Sequence, residues 1–135
     1  MLKLHHINLA SHRVPEMDAF YRGLLGLEPV AGMSDEQRVG PPRPQRARLV
    51  GDGTVQLHLS PRDAGVGFEH GHALNPLDRG HIAFRTDDVE AVKERLRRAG
   101  VPFSDYGCWA NKDWYQIFFQ DPNGNLVEIH QVMGD

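Results

Sequence analysis

A single cysteine, Cys108, in a chain of 135 residues excludes an intrachain disulfide and a thiolate-rich zinc cage. No paired base is evident near it, so it reads as an inert thiol. No apolar run approaches the length that crosses a bilayer, and residues 2–10 alternate polar with apolar instead of building a leader's apolar segment. A cytoplasmic location without a membrane partner is therefore expected. Positive charge is not in excess: the formal net charge is -3 and the pI about 6.2, which gives nucleic acid no electrostatic attraction. The local cluster Arg43, Arg46 and Arg48 reads as a solvated loop and strand start. Neither a phosphate-cradling glycine motif nor an assignable Ser-His-Asp arrangement is present. What remains is 40% hydrophobic and 24% charged, an ordinary globular balance. The length suits one domain, or two half-sized modules too small to be stable apart.

The hydrophobic pattern favours the second arrangement. Residues 2–10 alternate as a strand, with a change of parity at the pair His5 and His6. Pro15 opens a helix over residues 15–25, whose Met17, Phe20, Tyr21, Leu24 and Leu25 recur at helical spacing and form the face to be buried, before Gly26 ends it. A short strand is expected over 27–32, then an extended proline-rich connection over 40–44. A hairpin of residues 46–50 and 54–60 turns around Gly51, Asp52 and Gly53. The second half repeats the order: a strand over 80–85, Asp87 and Asp88 as caps, and a helix with Val89, Val92, Leu96 and Ala99 on one side and Gly100 as its stop. Strands follow over 101–104, 113–120 and 126–132. The fold class expected is α+β: two βαβββ modules, residues 1–62 and 80–135, forming curved mixed sheets around a metal cavity. The glycine-rich segment 63–79 is a linker or lid between them, flanked by His70 and His72.

The repeat aligns His6, Ile7, Asn8, Leu9 with His81, Ile82, Ala83, Phe84, and Leu57, His58, Leu59 with Val127, Glu128, Ile129. Each half thus carries one ligand-capable side chain on its first strand and one on its last. Residues two apart share a strand face, so His58 and Glu128 point away from the apolar neighbours that meet the helices. Three imidazoles and one carboxylate suit a borderline divalent ion, zinc, nickel, iron or manganese, better than calcium. His6, His58, His81 and Glu128 are the candidate metal ligands, and Glu128 and His58 the candidate catalytic groups. His5 is expected on the outer face, because neighbours in a regular strand point oppositely. Asn8, Gln56, Gln116 and His130 are candidates for binding substrate or orienting ligands. Trp109, Trp114, Tyr115 and Phe118 are candidates to wall an apolar pocket, with ordinary core packing as the alternative.

These residues resemble the vicinal oxygen chelate superfamily of glyoxalases, bleomycin-resistance proteins and ring-cleaving dioxygenases. The likeness is carried by His6, Ile7, Asn8, Leu9 with Phe20, Tyr21 and Leu25, Gly26, Leu27; by Gly80 to Phe84; and by Phe119 through Glu128. It implies paired βαβββ modules around a divalent ion held at His6, His81 and Glu128, with His58 where glyoxalase I members usually carry a glutamate. The activity implied is a metal-dependent glyoxalase-like lyase acting on a small carbonyl compound or thiol adduct. The alternatives are an extradiol dioxygenase, or a non-enzymatic small-molecule binding or resistance protein. Many small relatives exchange modules between chains, so a homodimer is expected, although the same repeat can close within one chain.

Overall fold

The computed structural model describes residues 2–40 and 46–134, which places Arg43 and most of the proline-rich connection outside the described residues. Eight strands form one sheet in the order β2-β3-β4-β1-β5-β8-β7-β6. They are β1 (Lys3–Ser11), β2 (Glu28–Pro29), β3 (Arg48–Gly51), β4 (Gln56–Pro61), β5 (His81–Arg85), β6 (Ser104–Gly107), β7 (Trp114–Gln120) and β8 (Leu126–Val132). The pairing is symmetrical about the centre: β1 runs parallel to β4, β5 runs parallel to β8, and β1 meets β5 antiparallel. One chain therefore joins its own two halves along a single antiparallel seam. Among the described residues no helix is long and apolar enough to cross a membrane.

The sheet curls, and the ring contacts show which face lies inside. His6 on β1 and Trp114 on β7 are three strands apart, roughly 14 Å along a flat sheet, yet their rings stand 6.1 Å apart. The outer face carries the apolar members of each alternation. Leu59 and Val50 pack with Val14 of α1 (Val14–Asp18), while Ile117 and Ile129 pack with Val89 and Val92 of α3 (Val89–Ala99). α3 is capped as its sequence predicts: the Asp88 carboxylate accepts from Ala91 N at 3.0 Å, and Gly100 leaves with φ of 71°. Asp87 makes no such bond.

The first helix departs from expectation. After Asp18 the chain widens into a π-helical turn over Ala19–Leu24, in which Leu25 N donates to Phe20 O five residues back. That wider turn breaks the 3.6-residue phase. Met17 and Tyr21 stay on the sheet, while Phe20, Leu24 and Leu25 are exposed by 47%, 72% and 55%. The expected strand over 27–32 shrinks to two residues, and the one expected over 101–104 lies at Ser104–Gly107 instead. Arg46 and Arg48 are engaged by Asp35 and Asp18 at 3.2 and 3.0 Å. Cys108 is exposed.

Segment 63–79 is packed, not bare. It contains α2 (Val66–Glu69), and its Val66 and Leu77 are buried against Tyr106 and Phe118 on the inner face. It ends at Gly80, with φ of +109°, where any Cβ would strike the carbonyl oxygen of Asn8 on the neighbouring strand. Gly80→Ala is accordingly expected to lower stability by roughly 2 kcal/mol or more, through strain and collision together. Urea denaturation measures it; an unchanged midpoint would mean that the seam tolerates a side chain there.

Candidate metal centre

The centre is built by register. His6 and Asn8 of β1, Gln56 and His58 of β4, His81, Ala83 and Arg85 of β5, Glu128 and His130 of β8, and Trp114, Gln116 and Phe118 of β7 all share the inner face. Ala83 lies directly opposite His6 on one side and Glu128 on the other. A methyl group fills little of the space above β5, so side chains from β1 and β8, nominally about 10 Å apart, meet across it. His6 Nε2 lies 3.8 Å from Glu128 Oε1, and His81 Nε2 lies 3.0 Å from the same oxygen. His6, His81 and Glu128 are each less than one-tenth exposed.

Two of the spacings in this donor set suit a divalent ion, while His81 stands outside both groups whose donor atoms all lie within 4.8 Å of one another. Donors held about 2.1 Å from one ion stand roughly 3.0–3.4 Å from one another, close to the spacings around Glu128 Oε1. The tautomer of His81 agrees, since Nδ1–H donates to the carbonyl of Pro76 at 3.0 Å. Nε2 then faces Glu128 Oε1, a contact suited by a positive charge between the two, whether an ion or a proton on the ring. Burial, the largest influence, lowers His6 to a pKa of about 2 and His58 to about 3, so both rings are neutral. For Glu128 burial acts upward, but the neighbouring imidazoles of His6, His130 and His81 outweigh it and hold the carboxyl well below its usual range. Neutral imidazoles beside one carboxylate are the ionisation states that metal coordination requires.

His58 is brought to the centre without converging on it. Its ring lies parallel to that of His6, centroids 3.7 Å apart and planes within 10°. Parallel stacked rings aim their nitrogens side by side, not at one point. His58 Nε2 bonds Gln56 Oε1 at 2.8 Å, which leaves Nδ1 as the lone-pair nitrogen. His130 Nδ1 donates to Glu128 Oε2 at 2.7 Å and so orients the carboxylate. Trp114 stacks on His130 at 4.2 Å. Gln116 extends Nε2 to within 3.5 Å of Glu128 Oε1, and its own Oε1 is buried without a partner. Asn8 accepts from Ser60 at 2.7 Å, and Phe118 stands edge-on to His81 within the apolar cluster beneath segment 63–79.

Two expectations are corrected. His5 is not on the outer face: the β1–β5 register shifts between Leu4 and His6, a bulge that turns both histidines inward. His5 Nδ1 lies 2.8 Å from His6 Nδ1, and its ring packs on Trp114 and His130 at 5.4 and 5.0 Å. The parity change at this pair was the sequence signal for the bulge. Tyr115 walls no inner pocket; it faces outward, where its hydroxyl donates to Asp105 at 2.7 Å beside Lys93. Trp109 packs near Tyr106, as does His72, stacked on that ring at 4.0 Å. Two overlapping groups bring donor atoms within 4.8 Å of one another: His5, His6, His58 and His6, Glu128, His130.

Comparison with known proteins agrees with this architecture. The chain is 26% identical over 134 residues to "Glyoxylase I 4" of Arabidopsis thaliana, covering 96% of this chain and 70% of that protein. It is 34% identical over 74 residues to a lactoylglutathione lyase of Pseudomonas putida, covering 55% and 42% respectively. The fold is similar to the crystal structure of methylmalonyl-CoA epimerase from Mycobacterium tuberculosis, with a TM-score of 0.63 at 18% identity over 97% of this chain and 88% of that one. The sequence profile of the Glyoxalase/Bleomycin resistance protein/Dioxygenase superfamily matches residues 3–129, nearly the whole chain. With two like halves curled around a His/Glu centre and that match along its length, the chain belongs to the Glyoxalase/Bleomycin resistance protein/Dioxygenase superfamily.

Proposed function

We propose that the chain is a metal-dependent lyase of glyoxalase type, acting on a small carbonyl compound or its thiol adduct, with His6, His81 and Glu128 holding the ion. The observation that carries this reading is the parallel stack of His58 on His6, which leaves a neutral imidazole beside the triad with an unused ring nitrogen. A divalent ion held there would polarise a bound carbonyl oxygen and acidify the adjacent C–H. His58 starts unprotonated, so Nδ1 can take that proton and return it to the neighbouring carbon. The imidazolium formed in between is stabilised by the Glu128 charge, the main influence that raises His58. Gln56 fixes the ring, and the unpartnered Gln116 Oε1 offers an acceptor to a substrate hydroxyl. A second reading rests on the triad itself: two histidines and one carboxylate with open positions are also the ligand set of iron oxygenases, including ring-cleaving ones.

The test strips the purified protein, restores zinc, nickel, ferrous iron or manganese singly, and follows hemithioacetal isomerisation beside oxygen uptake with catechols. Isomerisation is expected with at least one ion. His58→Gln is expected to lower kcat by about 10²–10⁴-fold while one ion per chain is still retained. Loss of the ion in that variant would make His58 a ligand. Oxygen uptake in place of isomerisation would select the second reading, and failure of every ion to bind folded protein would end both.

A further inference from the structure

On the inner face, one row of side chains beyond the Glu128 row, two cationic residues stand in register with no carboxylate bonded to either among the described residues, the Glu128 charge acting on Arg85 from a distance. Lys3 and Arg85 lie directly opposite each other across the β1–β5 seam. Like charges in that position repel and lower stability. Among the described residues neither forms an ion pair with a carboxylate. The other strand-borne guanidinium, Arg48, sits on the outer face and is neutralised by Asp18. Arg85 is also held in place: its Nε donates to His130 Nε2 at 3.0 Å, and its guanidinium carbon lies 5.1 Å over the Trp114 ring. The side chain is half-buried, yet among the described residues both terminal amino groups remain without acceptors. A pre-oriented fork with free N–H groups, resting on an aromatic wall in a partly dehydrated cup, is a receptor for a planar anion. A planar carboxylate can lie flat against both the fork and the Trp114 ring, which a tetrahedral phosphate cannot.

Position ties this receptor to the metal centre. Arg85 is the register partner of His130, and His130 stands two residues from Glu128. Two residues of strand span roughly 7 Å, so an anion on Arg85 lies a few bonds' length from a group at the Glu128 centre. We propose that Arg85, supported by Lys3, is a carboxylate-binding subsite, and that the substrate carries a carboxylate some three to five bonds from its reacting carbonyl. The substrate statement rests on the lyase reading above; the subsite itself does not.

The experiment measures binding of glutarate and of butanoate by the Trp114 emission change and by calorimetry, with metal-loaded and metal-free protein. Glutarate can place one carboxylate at the centre and one on Arg85; butanoate is the same chain with one carboxylate removed. Glutarate is expected to bind metal-loaded wild type at least about tenfold more tightly, Arg85→Gln to remove that advantage, and Arg85→Lys to keep part of it. Trp114→Phe identifies the reporting ring. Unchanged glutarate affinity in Arg85→Gln overturns the proposal. Equal weakening of both ligands together with loss of the ion also overturns it, because Arg85 would then act only through His130. If Arg85→Gln fails to fold, Arg85→Lys decides: affinity equal to wild type counts against a fork-specific site, a several-fold loss for it. Should wild type hold no ion, the lyase reading fails by itself, while an Arg85-dependent affinity of the metal-free protein for glutarate still supports the subsite.

Discussion

Glu128→Gln is expected to lower affinity for the divalent ion by more than about a hundredfold. Replacing groups that merely orient a ligand commonly costs about 10–100-fold, and here the centre would lose its one anionic donor. The change is isosteric, and the amide can keep hydrogen-bond contact with His130. The fold should therefore survive. The clearest readout is thermal: an ion present at a hundred times its dissociation constant stabilises the native state by about 2.7 kcal/mol. For a chain of this length that raises the unfolding midpoint by on the order of 10 °C. Wild type should show the shift and Glu128→Gln should lack it. Equal shifts in both would move the ion elsewhere, to the His5, His6, His58 group for example.

A second large effect is expected from a residue with no functional group. Ala83 is fully buried and lies in register with both His6 and Glu128. In Ala83→Leu the isobutyl group would occupy the gap through which these two side chains meet at 3.8 Å. Overpacking of this kind costs about 1–3 kcal/mol, which the denaturation midpoint should record. The metal site should suffer more, because the donors on β1 and β8 would be wedged apart. Ala83→Gly serves as the control: it loses up to about 1 kcal/mol but leaves the gap open and should keep one ion per chain. A leucine variant that folds and still binds its ion stoichiometrically would refute the role given to this position.

Ala83 also marks where reading the sequence stops. The alternations around His6, His58, His81 and Glu128 are visible in the chain, and so is the second appearance of strand, helix and three strands. Both depend on local period. That His6 and Glu128 face each other over β5 depends on how three separated segments are registered, which no local pattern states. His5 departs from alternation for a related reason: alternation predicts its direction only while the ladder is regular, and the bulge after Leu4 interrupts it. The first helix fails at Phe20, Leu24 and Leu25 because one i to i+5 turn shifts the phase of an otherwise apolar stripe. Segment 63–79 lacks a period, so its packing against Tyr106 and Phe118 had no signature beyond the isolated Val66 and Leu77. Arg85 looked like the end of a strand until its neighbours Lys3, His130 and Trp114 were known.

The bond from His81 to the carbonyl of Pro76 joins two parts of the molecule that otherwise have separate tasks. One end is a backbone group in the segment that covers the inner face; the other is an imidazole at the metal centre. Equilibrium coupling of this kind is reciprocal. Whatever free energy an ion gains because Pro76 holds His81 in the right tautomer, the covering segment gains in return when the ion binds. With His81 as a metal ligand, the cover and the cation would be in effect ligands of the same ring, each setting how tightly the other is held.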